Sequence, residues 1–150
     1  IKGEIHVTDG AGEPAYHATG EFALLPTWTI TRRGEVVARV RKKPWSWCLT
    51  WEVDGELGAF QLRRKTWAWT RQYTAIGGAL DGALVSGNFS GLKFEVRHGS
   101  QVLATASGDF FSLSDRHSVE VTGGHELFVV IAMLVILVDR SNETAAIAAS

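Results

Sequence analysis

Leu127-Phe-Val-Val-Ile-Ala-Met-Leu-Val-Ile-Leu-Val138 is a run of twelve residues without one polar side chain. How it is read decides the fold. A membrane-spanning helix needs about 20 apolar residues to cross roughly 30 Å of hydrocarbon. Twelve helical residues reach only about 18 Å, so a span is disfavoured. A buried strand is favoured by the β-branched Val129, Val130, Ile131, Val135, Ile136 and Val138, yet strands usually stop at about 10 residues. The third reading is a helix. One that is apolar all round must be covered on every side, and the interior of a β-barrel offers such a place. Periodicity leaves strand and helix both open.

Working outward from this run, residues 4–122 read as β structure. Short stretches rich in Val, Thr, Trp and Phe alternate with Gly, Asp and Asn turn signals. In a strand successive side chains take opposite faces. Trp47, Leu49, Trp51 and Val53 are therefore expected to face a core, and Ser46, Cys48, Thr50 and Glu52 to face away. Val36, Ala38 and Val40 are expected inward, opposite Val37, Arg39 and Arg41. Turns are expected at Asp9-Gly10, Arg33-Gly34, Asp54-Gly55, Gly77-Gly78, Asp81-Gly82 and His98-Gly99.

The chain also repeats itself. Val40-Arg-Lys-Lys-Pro-Trp-Ser-Trp47 aligns with Leu62-Arg-Arg-Lys-Thr-Trp-Ala-Trp69, 22 residues on, with four of eight positions identical. Fainter copies are Gly20-Glu-Phe-Ala-Leu-Leu25 and Gly108-Asp-Phe-Phe-Ser-Leu113. Each copy falls where one strand ends and its antiparallel partner begins, so the unit is a β-hairpin with a bulky apolar tip. A sheet of such hairpins has two exposed edges, which closure into a barrel removes.

Composition narrows the functional classes. The chain has 150 residues, enough for one domain with its own core. Fifteen Lys and Arg against sixteen Asp and Glu give a net charge of −1, so no global field draws it to nucleic acid. Cys48 stands alone; an intrachain disulfide is impossible and a reducing compartment is expected. The start, Ile-Lys-Gly-Glu, has no secretory pattern, and its lack of Met suggests a natural N-terminus upstream. Asn88-Phe-Ser90 and Asn142-Glu-Thr144 are read as chance matches to the glycosylation pattern.

Four features together carry a family resemblance. They are Gly108-Asp-Phe-Phe-Ser-Leu-Ser-Asp115, Gly87-Asn-Phe-Ser-Gly-Leu-Lys-Phe-Glu-Val96, Gly34-Glu-Val-Val-Ala38, and the apolar run ending in Val138-Asp139. Their order and spacing resemble the LURP-one-related family, grouped with the tubby C-terminal domain and the phospholipid scramblases. The resemblance implies a mainly β protein. Its fold would be a closed antiparallel barrel of about twelve strands around a buried central C-terminal α-helix at about 126–138. It implies one domain over residues 1–140, with 141–150 as a tail. It also implies a further strand in family members before the position of Ile1. For function it offers phosphoinositide binding, as in tubby proteins, and lipid movement, as in scramblases. The acidic calcium segment of scramblases has no equivalent here, since Asp9-Gly-Ala-Gly-Glu13 has too few carboxylates. The basic residues of the tubby site do not map onto this chain.

The residues themselves nominate one surface. Aligning the repeat copies sets Arg41 with Arg63, Lys43 with Lys65, Trp45 with Trp67 and Trp47 with Trp69. With Val40 and Leu62 inward, the four cations are expected outward, while Lys42 and Arg64 lie near strand ends where the face is open. Cations neutralise phosphates, and tryptophan suits a membrane interface because its apolar ring carries one polar N–H. Arg41, Lys43, Arg63, Lys65, Trp45 and Trp67 are the candidate headgroup-binding residues. The plainer reading makes them the solvated face and apolar caps of a barrel.

No catalytic set is expected. His6, His17, His98, His117 and His125 lack the spacing of metal ligands on a helix, so no metal and no cofactor is expected. Asp115-Arg-His117-Ser118 holds the residue types of a hydrolase triad, but neighbours in sequence cannot converge as a relay. Gly77-Gly-Ala-Leu-Asp-Gly82 lacks the ending of a phosphate loop, and Glu52, Asp54 and Glu56 cluster at a turn. Arg71 is odd, because the repeat sets it at the inward position of Leu49; a bulge or a rim position is expected, the alternative being a polar ligand site inside the barrel mouth. The expected function is a non-enzymatic binding module. It would be cytoplasmic or peripheral at an anionic membrane lipid surface, and neither transmembrane nor nucleic-acid-binding. The alternative is a protein-interaction or structural scaffold with a protein partner and no small ligand.

Overall fold

Alternation of apolar and polar residues is what sorts the two faces of the sheet. The computed structural model describes residues 2–21, 25–44, 48–67, 70–89, 91, 93–107 and 118–149, with backbone alone at 66, 67, 70, 71 and 143–149. Among the described residues eleven strands precede one helix. They are β1 (Lys2–Thr8), β2 (Pro14–Glu21), β3 (Thr27–Arg32), β4 (Glu35–Lys42), β5 (Thr50–Gly55) and β6 (Phe60–Trp67). Then follow β7 (Thr70–Ile76), β8 (Leu84–Asn88), β9 (Lys93–His98), β10 (Gln101–Ser107) and β11 (Val119–Val121). The helix is α1 (Glu126–Ala149).

Every strand pairs antiparallel with its neighbours in the chain, giving one eleven-stranded meander. A ladder between β1 and β11 is not among the pairings of the described residues. Five of the six expected turns fall at the connections, but Asp54 and Gly55 end β5, paired with Arg39 and Ala38, and the turn follows at 56–59. Between β3 and β4 the two turn residues, Arg33 and Gly34, have φ of 53° and 80°. Positive φ at both places is the hairpin turn whose twist suits flanking strands.

Three face assignments need correction, one of them Thr50, expected to face away yet only 1% exposed. Ile30 pairs with Ala38 but Thr31 pairs with Val36, so Val37 is an extra residue in β4. This bulge turns Val37 into the core and leaves Val36 49% exposed, the reverse of strict alternation. Leu49, expected inward, lies before β5 begins and is 38% exposed. Trp51 and Val53 are buried as alternation requires.

The segment at 127–138 is helical. Phe128, Val129, Val130, Ile131, Leu134, Val135, Ile136 and Val138 are all buried, and together they cover nearly the whole circumference of the helix. Only Met133 and Leu137, one turn apart, are partly buried. The helix does not stop at Val138. It continues to Ala149, through the stretch expected as a tail, for about 36 Å in all. Among the described residues no helix is long and apolar enough to cross a membrane. The sheet supplies the rest of the core, with Trp28, Trp51, Leu62, Tyr73 and Leu103 fully buried. Trp28 fits because its cross-strand partner is Gly20. A Cβ there would stand 2.4 Å from the indole.

Candidate functional site

The meander has two ends of different character. At one end lie the connections β2–β3, β4–β5, β6–β7 and β8–β9, which include the tips of the two repeat copies. The polar exit of α1 lies there too, because Asp139 meets residues near the ends of β4 and β5. We call this the tip end. The other end holds the β1–β2, β3–β4, β5–β6, β7–β8 and β9–β10 turns and the start of α1.

The four cations of the repeat divide at the tip end. Arg41, Lys43 and Lys65 are exposed and Arg63 is half-buried, all on the outer face. Arg41 lies opposite Glu52 and its guanidinium is 3.5 Å from Asp54. Its charge is therefore partly committed. Lys43, Arg63 and Lys65 gather around the start of β5. The Lys43 amide donates to the Thr50 carbonyl at 2.8 Å, Thr50 pairs with Arg63, and the Arg64 amide donates to the Leu49 carbonyl at 2.8 Å. Among the described residues none of these three cations has a carboxylate within 4.0 Å. Trp45, Trp47 and Trp69 lie outside the described residues, as do Asp115 and His117; of Trp67 and Arg71 only the backbone is described.

Exposed leucines lie beside these cations. Leu25 is 51% exposed and Leu49 is 38% exposed. The Lys42 amide donates to the Pro26 carbonyl at 3.1 Å, which brings Leu25 next to the end of β4. Among the described residues, two of the three exposed large apolar side chains thus sit among the cations. Away from this end two arginines are answered by acids, whereas Arg33 and Arg39 have no carboxylate within 4.0 Å among the described residues. Arg32 pairs with Glu56 at 2.7 Å and Arg97 with Glu95 at 2.8 Å.

Beneath the tips lies a buried polar cluster. Lys42 and Arg64, whose faces the sequence leaves open, both turn inward. Lys42 Nζ is 3.8 Å from Asp139 Oδ1 and 5.8 Å from the Trp51 ring. The Trp51 indole donates to Asp139 Oδ2 at 3.2 Å, and the Tyr73 hydroxyl donates to the same oxygen. Burial pushes the Asp139 carboxyl above its ordinary value; the Tyr73 and Trp51 hydrogen bonds and the charges of Lys42 and Arg64 oppose that rise. The signal for this cluster was present in the alternation. Val40 and Lys42 share a face, as do Leu62 and Arg64, and Asp139 directly follows the apolar run.

A second grouping sits on the outer face of β1 and β2. His6 and His17 are directly paired across the two strands. Their rings stack with centroids 4.5 Å apart and planes 12° apart. Glu4, two residues before His6 on the same face, brings Oε2 to 3.5 Å from His6 Nε2 and 3.8 Å from His17 Nε2. Spacing along one element could not reveal this trio, because it forms across a strand pair. Elsewhere polar side chains serve the fold. Asp9 Oδ1 accepts the amides of Ala11 at 2.9 Å and Glu13 at 3.0 Å, closing the β1–β2 turn.

These features define a class: an antiparallel meander packed on a buried C-terminal helix that a lysine and a carboxylate tie to the sheet. The chain matches the family model described as LURP-one-related over residues 1–139, and it belongs to that family. No curated protein and no solved structure matches it.

Proposed function

We propose that the protein is a non-enzymatic module that docks its tip end on an anionic phospholipid surface, phosphoinositide headgroups included. The carrying observation is the co-location of exposed Leu25 and Leu49 with Lys43, Arg63 and Lys65, cations with no carboxylate partner among the described residues. Exposed leucines enter the interfacial region while cations meet phosphates, and the two contributions add. Trp45 and Trp67, in sequence at the same tips, extend the apolar part. Arg41 stands behind them, held by Asp54. Anionic lipid is concentrated in the cytoplasmic leaflet, so this reading puts the protein peripherally on the cytoplasmic face.

The same reading takes the sheet as a closed barrel. A helix buried on nearly every side supports this, because a flat sheet covers only one. With the interior filled by α1, the ligand is met on the surface.

Vesicle flotation tests the docking. The chain is expected to float with phosphatidylserine or phosphoinositide vesicles at low salt, to be released as salt rises, and to ignore neutral phosphatidylcholine. A chain that leaves every vesicle behind yet captures a protein partner is a scaffold, and the proposal fails.

A further inference from the structure

We propose that Glu4, His6 and His17 form a binding site for one zinc-class divalent ion on the outer face of β1 and β2, separate from the tip end. Three ligand atoms, two imidazole Nε2 and one carboxylate oxygen, lie within 4.8 Å of one another. In a tetrahedral zinc site with bonds of about 2.1 Å, ligand atoms stand roughly 3.4 Å apart. The Glu4 oxygen already lies 3.5 Å and 3.8 Å from the two nitrogens.

The backbone holds the trio in place. His6 and His17 occupy one cross-strand pair, and Glu4 is the next residue on the same face of β1. No loop has to order before an ion binds. An ion lies in the plane of each imidazole that ligates it, whereas these rings are stacked nearly parallel. Binding therefore tilts the rings toward each other, a movement open to His6, whose side chain is 68% exposed.

A second observation is independent of proximity. His17 Nε2 is shut off from solvent and has no hydrogen-bond partner among the described residues. A buried polar atom without a partner is costly. A metal ion supplies the partner, and the nitrogen already faces a carboxylate. Two imidazoles and one carboxylate suit zinc and its neighbours in the first transition row; calcium and magnesium prefer oxygen alone. Glu4 and His6 are open outward, at 64% and 68% exposure, so water completes the coordination.

The test is calorimetric titration of the chelator-stripped full chain with Zn2+ alone, repeated on single variants. One equivalent is expected to bind. His6→Ala, His17→Ala and Glu4→Gln are each expected to weaken it by at least about tenfold, since even residues behind a ligand are worth that much. His98→Ala and His125→Ala are expected to bind as the parent does. His6 and Glu4 lie on an exposed face, so their variants remain folded, which circular dichroism checks. Absence of one-equivalent binding, or binding that persists unchanged in both His6→Ala and His17→Ala, overturns the proposal.

Discussion

Asp139 is the residue whose chemistry differs most from its surroundings. It ends an apolar run, is buried, and takes hydrogen bonds from Trp51 and Tyr73 with Lys42 close by. Because burial raises its folded pKa, the folded state holds a proton that the unfolded chain gives up at lower pH. The contribution to stability is fully present below the ordinary value of 3.8 and is lost as pH rises through the folded value. Asp139→Asn removes this dependence. Urea unfolding at a series of pH values is expected to show the variant gaining on the parent as pH rises from about 4. Parallel curves would contradict the assignment. Much of this residue was legible: Lys42 and Arg64 follow inward Val40 and Leu62 by two. What alternation lacked was a reason to put cations inside, and that reason is a carboxylate far away in sequence, at Asp139.

The central element is α1. Its composition left strand and helix open, and the family resemblance, not β-branching, favoured helix. Its start at Glu126 was foreseen; its continuation to Ala149 was not, because the polar residues after Arg140 removed the apolar signal that marked the run. Burial along it is uneven in a way that makes a test. Ile131 is fully buried, whereas Met133 is only partly so. Ile131→Lys strands an ammonium in the core, a cost comparable to the whole stability of a domain, about 5–15 kcal/mol. The variant is expected to be unfolded by circular dichroism. Met133→Lys can carry its charge outward along a flexible stem and is expected to fold with reduced stability. A folded Ile131→Lys protein would overturn the all-round burial of the helix. The bulge at Val37 was hidden for a different reason: Val36 and Val37 are both apolar, so pattern alone cannot say which is the extra residue.

At the scale of the whole molecule, two inferences are joined: the sheet closes around α1, and its two ends differ. Closure predicts hydrogen exchange in the edge strands. Amides of β1 that do not face β2 are expected to be protected nearly as well as those of β5, whereas a free edge exchanges within the time of a loop. The hairpin organisation was legible from the turn signals and the 22-residue repeat, whereas a strand number came only from the family resemblance. The polarity of the ends was only half legible. The cations and tryptophans of the tips stand out in sequence, but Leu25 joins them only because Pro26 pairs with the end of β4. That Arg41 is partly spent on Asp54 is likewise a matter of register between β4 and β5. The docking claim is tested most directly by flotation with anionic vesicles, comparing the parent with a Lys43→Glu, Arg63→Glu, Lys65→Glu variant and with Arg33→Glu at the opposite end. At about 1 kcal/mol per cation, losing three lowers vesicle affinity by about a hundredfold or more, while Arg33→Glu is expected to leave it within a few-fold. Equal flotation of the triple variant and the parent, or equal loss from either end, would contradict the account.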